Sequence, residues 1–387
     1  MKRFSYICAD PGIPIPGNKG ASIHVKSVCR AFTRAGLDGE IVTVRPEAQT
    51  LGGLPVRRLH PPPGQGSTEK REAGLFLAGL TSTVGPRDGC DFIYERYSLW
   101  HAGGLARARA LGVPFILEVN SPLPEEARRF RKLENQELAE GIARLLLREA
   151  DGIVCVSEEV AEWVVERRRH ENGVWVVPNG VDAKLFSPTS ASRPERLPPP
   201  DVPLVAFCGS FRPWHATDDL LEAFRLLLEQ EIEDAHLLCV GDGPLRERFE
   251  ERARNLGIAG RVHVTGLLPH DEVPAWLRGA DVAVAPYPAM NGFYFSPLKI
   301  FEFMALGLPV VAADTGQVSG LIGNGERGLL YPPGDPRGLA EAMAKLLGDR
   351  PRARRLGDAG RAWVLANATW SKRTEHMLRR IDELCSA

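Results

Sequence analysis

Strand-like and helix-like segments alternate along nearly the whole of this 387-residue chain. That alternation restricts it to parallel α/β sheets, because each strand must cross over through a helix before the next can pair. Short runs rich in apolar and β-branched residues fall at 4–9, 40–44, 92–94, 113–119 and 152–156, with helical spacing between them. A polar, proline-rich stretch follows at 187–202 and contains Pro198-Pro199-Pro200. It reads as a linker. Beyond it the alternation resumes at 204–208, 235–240, 261–265, 281–286 and 328–331. Two α/β halves are expected, 1–186 and 203–369, and the length supports a core in each. The stretch 55–89 is poorly patterned and reads as a loop region with one helix.

Composition removes several classes of function. A net charge of −1 creates no global field for nucleic acid or an anionic membrane. Hydrophobic residues at 44% and charged residues at 25% are ordinary for a globular chain. No apolar run approaches the roughly 20 residues of a membrane-spanning helix. The run at 4–9 turns into Asp10-Pro11-Gly12 too early for a signal sequence and reads as a first strand. The seven cysteines show no CxxC spacing. They read as small buried hydrophobes in a reducing cytoplasm, with neither a metal site nor a disulfide framework. Arg128, Arg129, Arg131 and Lys132, and Arg167-Arg168-Arg169, read as solvated faces. Peripheral membrane or acidic-acceptor contact through the N-terminal half is the lesser reading.

Chemistry concentrates in residues 291–313. Ser296 is expected to cap a helix, with Pro297 in its first position. Leu298, Phe301 and Ala305 give it an apolar face, Gly307 ends it, and Val310-Val311 starts a strand. Lys299 falls in the first turn, where the helix dipole disfavours a cation by roughly 0.3–1 kcal/mol. A bound anion, held by the lysine and the free N–H groups, removes the conflict. Glu302 lies between Phe301 and Phe303 and calls for hydroxyl or structural partners. Elsewhere, the loop 10–20 between the first strand and first helix suits phosphate, though it is neither GxGxxG nor a Walker sequence. Glu118 and Asn120 stand at a strand's C-terminal end, where open parallel sheets bind ligands. A strand-end carboxylate satisfied by a neighbouring loop is the competing reading.

Two of these stretches carry a family resemblance. Glu302-Phe303-Met304-Ala305-Leu306-Gly307-Leu308-Pro309-Val310-Val311-Ala312 resembles the C-terminal motif of the family 4 retaining glycosyltransferases, which have the GT-B fold. Pro178-Asn179-Gly180-Val181-Asp182 resembles their N-terminal domain ending. The likeness implies two Rossmann-like domains facing one cleft, with a final helix at about 370–387 packing back on the first. It implies transfer of a sugar from a nucleotide-diphosphate sugar to an acceptor hydroxyl, with retention, without a metal or other cofactor, and in the cytoplasm or at the inner membrane face. The acceptor would be a sugar, a lipid-linked or a small molecule.

By the same resemblance, Lys299, Arg212, His215 and Glu302 carry the reaction, Glu302 through the ribose. Gly17, Gly20, Gly209, Ser210, Gly241, Gly243, Gly266, Leu267, Ser296, Pro297 and Leu298 line the donor, and His24, Glu118 and Asn120 lie on the acceptor side. Tyr294 replaces the motif's first glutamate. Ser210 and His215 replace the arginine and lysine that grip the diphosphate. His215 is expected to titrate near the ordinary histidine value and to gain charge against the diphosphate. These departures motivate one alternative, a non-catalytic binding or regulatory GT-B protein; the other is a different GT-B enzyme, an epimerase or a phosphorylase.

Overall fold

The computed structural model describes residues 2–59, 67–81, 89–189, 193–230, 232–290 and 292–386. The chain forms two compact units. One holds Met1–Asn179, Tyr294–Ser296 and Trp370–Ala387, and the other holds Gly180–Phe293 and Pro297–Thr369.

The first unit is built on an eight-stranded sheet. Its strands are β1 (Arg3–Cys8), β2 (Asp38–Thr43), β3 (Thr50–Leu51), β4 (Leu54–Arg58), β5 (Phe92–Arg96), β6 (Phe115–Val119), β7 (Gly152–Cys155) and β8 (Val174–Val176). They lie in the order β3-β4-β2-β1-β5-β6-β7-β8. Every pair is parallel except β3–β4. β5, β6 and β7 are buried along almost their entire length, as expected where helices cover both faces of a sheet. The core includes Phe4 edge-on to Phe32 at 5.1 Å and Tyr6 stacked on Tyr94 at 5.3 Å. The final helix, Trp370–Ser386, packs on the helix Gly20–Arg34 of this unit.

Two sequence expectations change here. The stretch 55–89 holds the one expected helix, Thr68–Thr81, but it is not otherwise all loop, because β4 runs into it. Positions 60–66 and 82–88 of that stretch lie outside the described residues. The spacing at 125–149 reads as one long helix in the sequence, but the segment forms two, Leu123–Phe130 and Gln136–Glu149. The break is held from outside. The Glu72 carboxylate accepts from the backbone N–H groups of Glu134 and Asn135, at 3.2 and 2.8 Å, and from the Asn135 side chain. Such bonds compete with helix continuation.

The second unit has six parallel strands: β9 (Leu204–Cys208), β10 (His236–Val240), β11 (Val262–Val264), β12 (Val282–Ala285), β13 (Val310–Ala313) and β14 (Gly328–Tyr331). Their order is β11-β10-β9-β12-β13-β14. The chain therefore winds outward from β9 in one direction and then reverses to β12. This is the doubly wound order, and ligands collect at the carboxyl ends of the strands where it reverses. The expected linker 187–202 falls inside this unit, which already begins at Gly180, and its positions 190–192 lie outside the described residues.

Candidate active site

The reversal point of the second unit brings together loops far apart in sequence. Gly209 follows β9, and its N–H donates to Val240 O at the end of neighbouring β10. A side chain at Gly241 would come within 2.1 Å of the Gly209 carbonyl, so this close approach of two backbones requires glycine. Phe211 N–H then donates to Asp242 O at 3.2 Å, which locks the loops after β9 and β10 together. Gly241 also bridges to Gly266, beyond β11, and next to it Leu267 is 64% exposed, unusual for a leucine. Gly209, Ser210, Gly241, Gly243, Gly266 and Leu267 are thus neighbours along three adjacent strand ends.

The helix Leu298–Ala305 aims its N-terminus at this region, because a Cβ on Gly209 would stand 3.0 Å from Lys299 Nζ. Lys299 is 8% exposed, and its ammonium has no hydrogen-bond partner among the described residues. It lies 4.5 Å from the centre of the Phe207 ring and 5.4 Å from that of Tyr287. Burial pulls its pKa down to about 7, against weaker upward pulls from Cys208 and Glu302. A buried amine whose pKa is drawn down, beside first-turn N–H groups that no side chain caps, has the chemistry to pair with an anion.

Glu302 lies one turn further along and is 7% exposed. Its Oε1 accepts from His270 Nε2 at 2.7 Å, and the His270 ring packs 5.2 Å from that of Phe186. No sequence pattern marks this contact. His270 is 32 positions away in an irregular loop, and only the folded sheet joins the two.

Two expectations for this site are corrected. Ser296 does not cap the helix. Pro297 occupies the cap position, and no side chain caps it. The Ser296 hydroxyl instead accepts from Asn179 N–H at 2.9 Å, and its carbonyl accepts from the Asn179 side chain at 2.6 Å, both within the first unit. His215 is not a ready cation. Loss of hydration and the Lys299 charge push its pKa well below 6.5, with a smaller contribution from Arg212. Its Nδ1–H donates to the Ser210 carbonyl, so the neutral ring offers only an acceptor at Nε2. Arg212 is exposed, with its guanidinium 5.7 Å from the Trp214 ring centre.

In the first unit, Gly17 lies in the loop before the helix Gly20–Arg34, where a Cβ would crowd Pro14 and Ser22 at 2.7–2.8 Å. Gly20 opens that helix. His24 is buried, with Nδ1 2.6 Å from Asn179 Oδ1 and Nε2 2.9 Å from Glu118 Oε1. Glu118 also accepts from Arg96, Asn120 and Tyr94, at 2.9, 2.6 and 2.9 Å. Burial alone would raise its pKa, but His24, Arg96 and Asn120 outweigh it and hold it at about 2. Only 1% exposed, Glu118 has no surface left with which to meet an acceptor. It orders this strand end, and Asn120 and His24 are ordered with it.

The basic clusters are largely neutralised. Arg128 pairs with Glu140, Arg131 with Glu126, Lys132 with Glu134, and Arg167 with Glu125. Arg168 is buried and donates to the carbonyls of Leu147 and Ala150. Among the described residues no helix is long and apolar enough to cross a membrane.

The doubly wound sheets and the glycine-lined anion site define a nucleotide-binding α/β protein, and comparisons with known proteins narrow the class. Residues 18–185 match the family described as Glycosyltransferase Family 4, and residues 202–349 match Glycosyl transferases group 1. The D-inositol 3-phosphate glycosyltransferase 2 of Catenulispora acidiphila is 30% identical over 375 residues, spanning 88% of this chain and 84% of that protein. The D-inositol 3-phosphate glycosyltransferase of Nocardia farcinica is 29% identical, spanning 96% of this chain and 85% of that one. In structure, the sucrose-phosphate synthase of Thermosynechococcus elongatus superposes with a TM-score of 0.79 at 24% identity, each chain covered completely. Anabaena HepE in complex with UDP and glucose gives 0.72 at 16% identity, covering 99% of this chain and all of that one. The fold is GT-B. The chain belongs to glycosyltransferase family 4, and it is a glycosyltransferase that uses nucleotide-sugar donors.

Proposed function

We propose that this enzyme transfers a sugar from a nucleoside-diphosphate sugar to an acceptor hydroxyl with retention of anomeric configuration and without a metal ion. The observation that carries this reading is the buried Lys299 ammonium, without a hydrogen-bond partner, beside the Gly209 loop. As the bond from the anomeric carbon to the diphosphate breaks, negative charge grows on the leaving oxygen. Lys299 and the N–H groups of Leu298 and Lys299 stabilise that charge in a site poorly exposed to water. The acceptor oxygen attacks from the same face, and its proton passes to the departing phosphate oxygen. This front-face route needs no protein base.

With His215 neutral, the replacement for the family's two-cation grip is Lys299, with Arg212 free to reach the outer phosphate. The exposed Leu267 offers a surface for the base, and Glu302 accepts from the ribose. The relatives' names favour a small phosphorylated polyol as acceptor, ahead of a sugar or a lipid-linked one.

The test combines UDP-, GDP- and ADP-sugars with inositol phosphate and simple sugar acceptors, with and without EDTA. The expected product keeps the donor's anomeric configuration by NMR, at an unchanged rate in EDTA. An inverted product, or activity abolished by EDTA and restored by manganese or magnesium, overturns the proposal.

A further inference from the structure

We infer that His270 is the positioning residue for nucleotide recognition: its hydrogen bond to Glu302 fixes the carboxylate so that one oxygen is left to read the ribose hydroxyls. The inference rests on the proposed reading of Glu302 as the ribose acceptor. A glutamate side chain has three rotatable bonds, and an unrestrained one gives up much of a hydrogen bond's worth in ordering. Here Oε1 is occupied by His270 Nε2 at 2.7 Å. Oε2 has no hydrogen-bond partner among the described residues and is not among the buried unpartnered atoms. The two oxygens therefore have different tasks.

His270 is itself held. Its ring packs 5.2 Å from the Phe186 ring, and it follows Leu268-Pro269, the continuation of the exposed Leu267 segment. This contact places the histidine in the loop that borders the proposed base surface. Donation from Nε2 requires only that this nitrogen carry a hydrogen, which both the neutral ring in the right tautomer and the charged ring satisfy. Glutamine is the conservative replacement, because its amide also donates. Alanine and leucine cannot.

The experiment is isothermal titration calorimetry of UDP, GDP and ADP, each against its 2′-deoxy counterpart. It uses the wild type, His270→Gln, His270→Ala and His270→Leu, with each fold checked by thermal melting. The leucine variant keeps the side-chain volume and serves if the alanine variant does not fold. For the nucleotide that binds tightest, the wild type is expected to prefer the ribo form by roughly ten- to a hundredfold, the range of one charged hydrogen bond. His270→Gln should keep most of that preference. His270→Ala and His270→Leu should reduce it to about threefold or less, mainly by weakening the ribo form. A merely structural histidine would weaken ribo and deoxy forms equally and leave the preference intact, which overturns the inference. A wild type without a ribo preference instead overturns the reading of Glu302 on which it rests.

Discussion

The hydroxyl of Tyr294 donates to Glu126 Oε2 at 3.0 Å, and both residues belong to the first unit. The residue standing where the family motif has its first glutamate is therefore engaged within the first unit. Its carbonyl is engaged in the same unit, accepting from the Ser157 hydroxyl at 3.0 Å. Tyr294→Phe should cost about 0.5–1.5 kcal/mol of stability, one hydrogen bond. Donor affinity should stay within about twofold of wild type, because no donor contact is lost. Tyr294→Glu should fail to strengthen donor binding and should destabilise the protein further, by setting a second carboxylate against Glu126. Urea denaturation and donor calorimetry check both. A donor affinity that collapses in Tyr294→Phe would return this residue to the donor site.

Glu118 should make the enzyme acid-sensitive. Its pKa is about 2 in the folded protein against an ordinary 4.5. A carboxylate depressed on folding contributes stability that is fully present above its unfolded value and is lost as pH falls through the folded one. The gap corresponds to roughly 3 kcal/mol. Urea midpoints should therefore fall between about pH 5 and pH 2 in the wild type. In Glu118→Gln that part of the slope should vanish. Stability near neutrality should drop by about 3–5 kcal/mol, because Arg96 and His24 lose their buried partner. An unchanged acid slope in the variant would place the acid sensitivity elsewhere.

Lys299 should trade stability for binding. Without donor, its buried ammonium has lost water and gained only ring faces. Lys299→Met keeps the length and removes the charge. The donor-free variant should be more stable than wild type by about 1–3 kcal/mol at neutral pH, the usual cost of a buried unpaired polar group. Donor should bind roughly ten- to a hundredfold more weakly. Thermal melts with and without nucleotide sugar read both effects. A variant less stable in the donor-free state would show that the lysine has a structural partner.

The fold was legible in the sequence because its signal is local. Runs such as Phe115–Val119 and Val310–Ala313, separated by helical spacing, can only be parallel strands. The boundary between the halves was less legible: it falls at Asn179–Gly180, and Pro198-Pro199-Pro200 lies inside the second unit. The place of Lys299 in the first turn of its helix was legible for the same reason as the strands, since no distant residue is needed to see it. What stayed hidden depends on contacts across the fold. Ser296 looks like a helix cap until Asn179, 117 positions earlier, is found to use its hydroxyl. Glu118 looks like a cleft residue until His24, Arg96 and Tyr94 close around it. His215 looks like a substitute lysine until burial and the Lys299 charge are found to disfavour its charged form, with Nδ1–H committed to the Ser210 carbonyl. The break at 131–135 is set by Glu72, which lies in a stretch with no clear pattern.

The pH dependence of donor binding should therefore come from Lys299 and not from His215. In the free protein Lys299 titrates at about 7, because burial disfavours its charged form. The diphosphate pairs with that charged form, so the pKa of Lys299 rises in the complex. Below about pH 7 the lysine is already charged when the donor arrives, and affinity should be at its highest and flat. As pH rises above that value, the free enzyme loses the proton that the complex keeps. Binding must then take up a proton, and affinity should fall until pH passes the higher value of the complex. Beyond that it should level off. His215 is neutral through this range, since its pKa lies well below 6.5. The sugar diphosphate has no ionisation of its own there. Calorimetry of donor binding at several pH values, in the wild type, His215→Ala and Lys299→Met, separates the two residues. Wild type and His215→Ala should share one slope, and Lys299→Met should be flat. A slope lost in His215→Ala but kept in Lys299→Met would assign the titration to the histidine and remove the lysine from its proposed role.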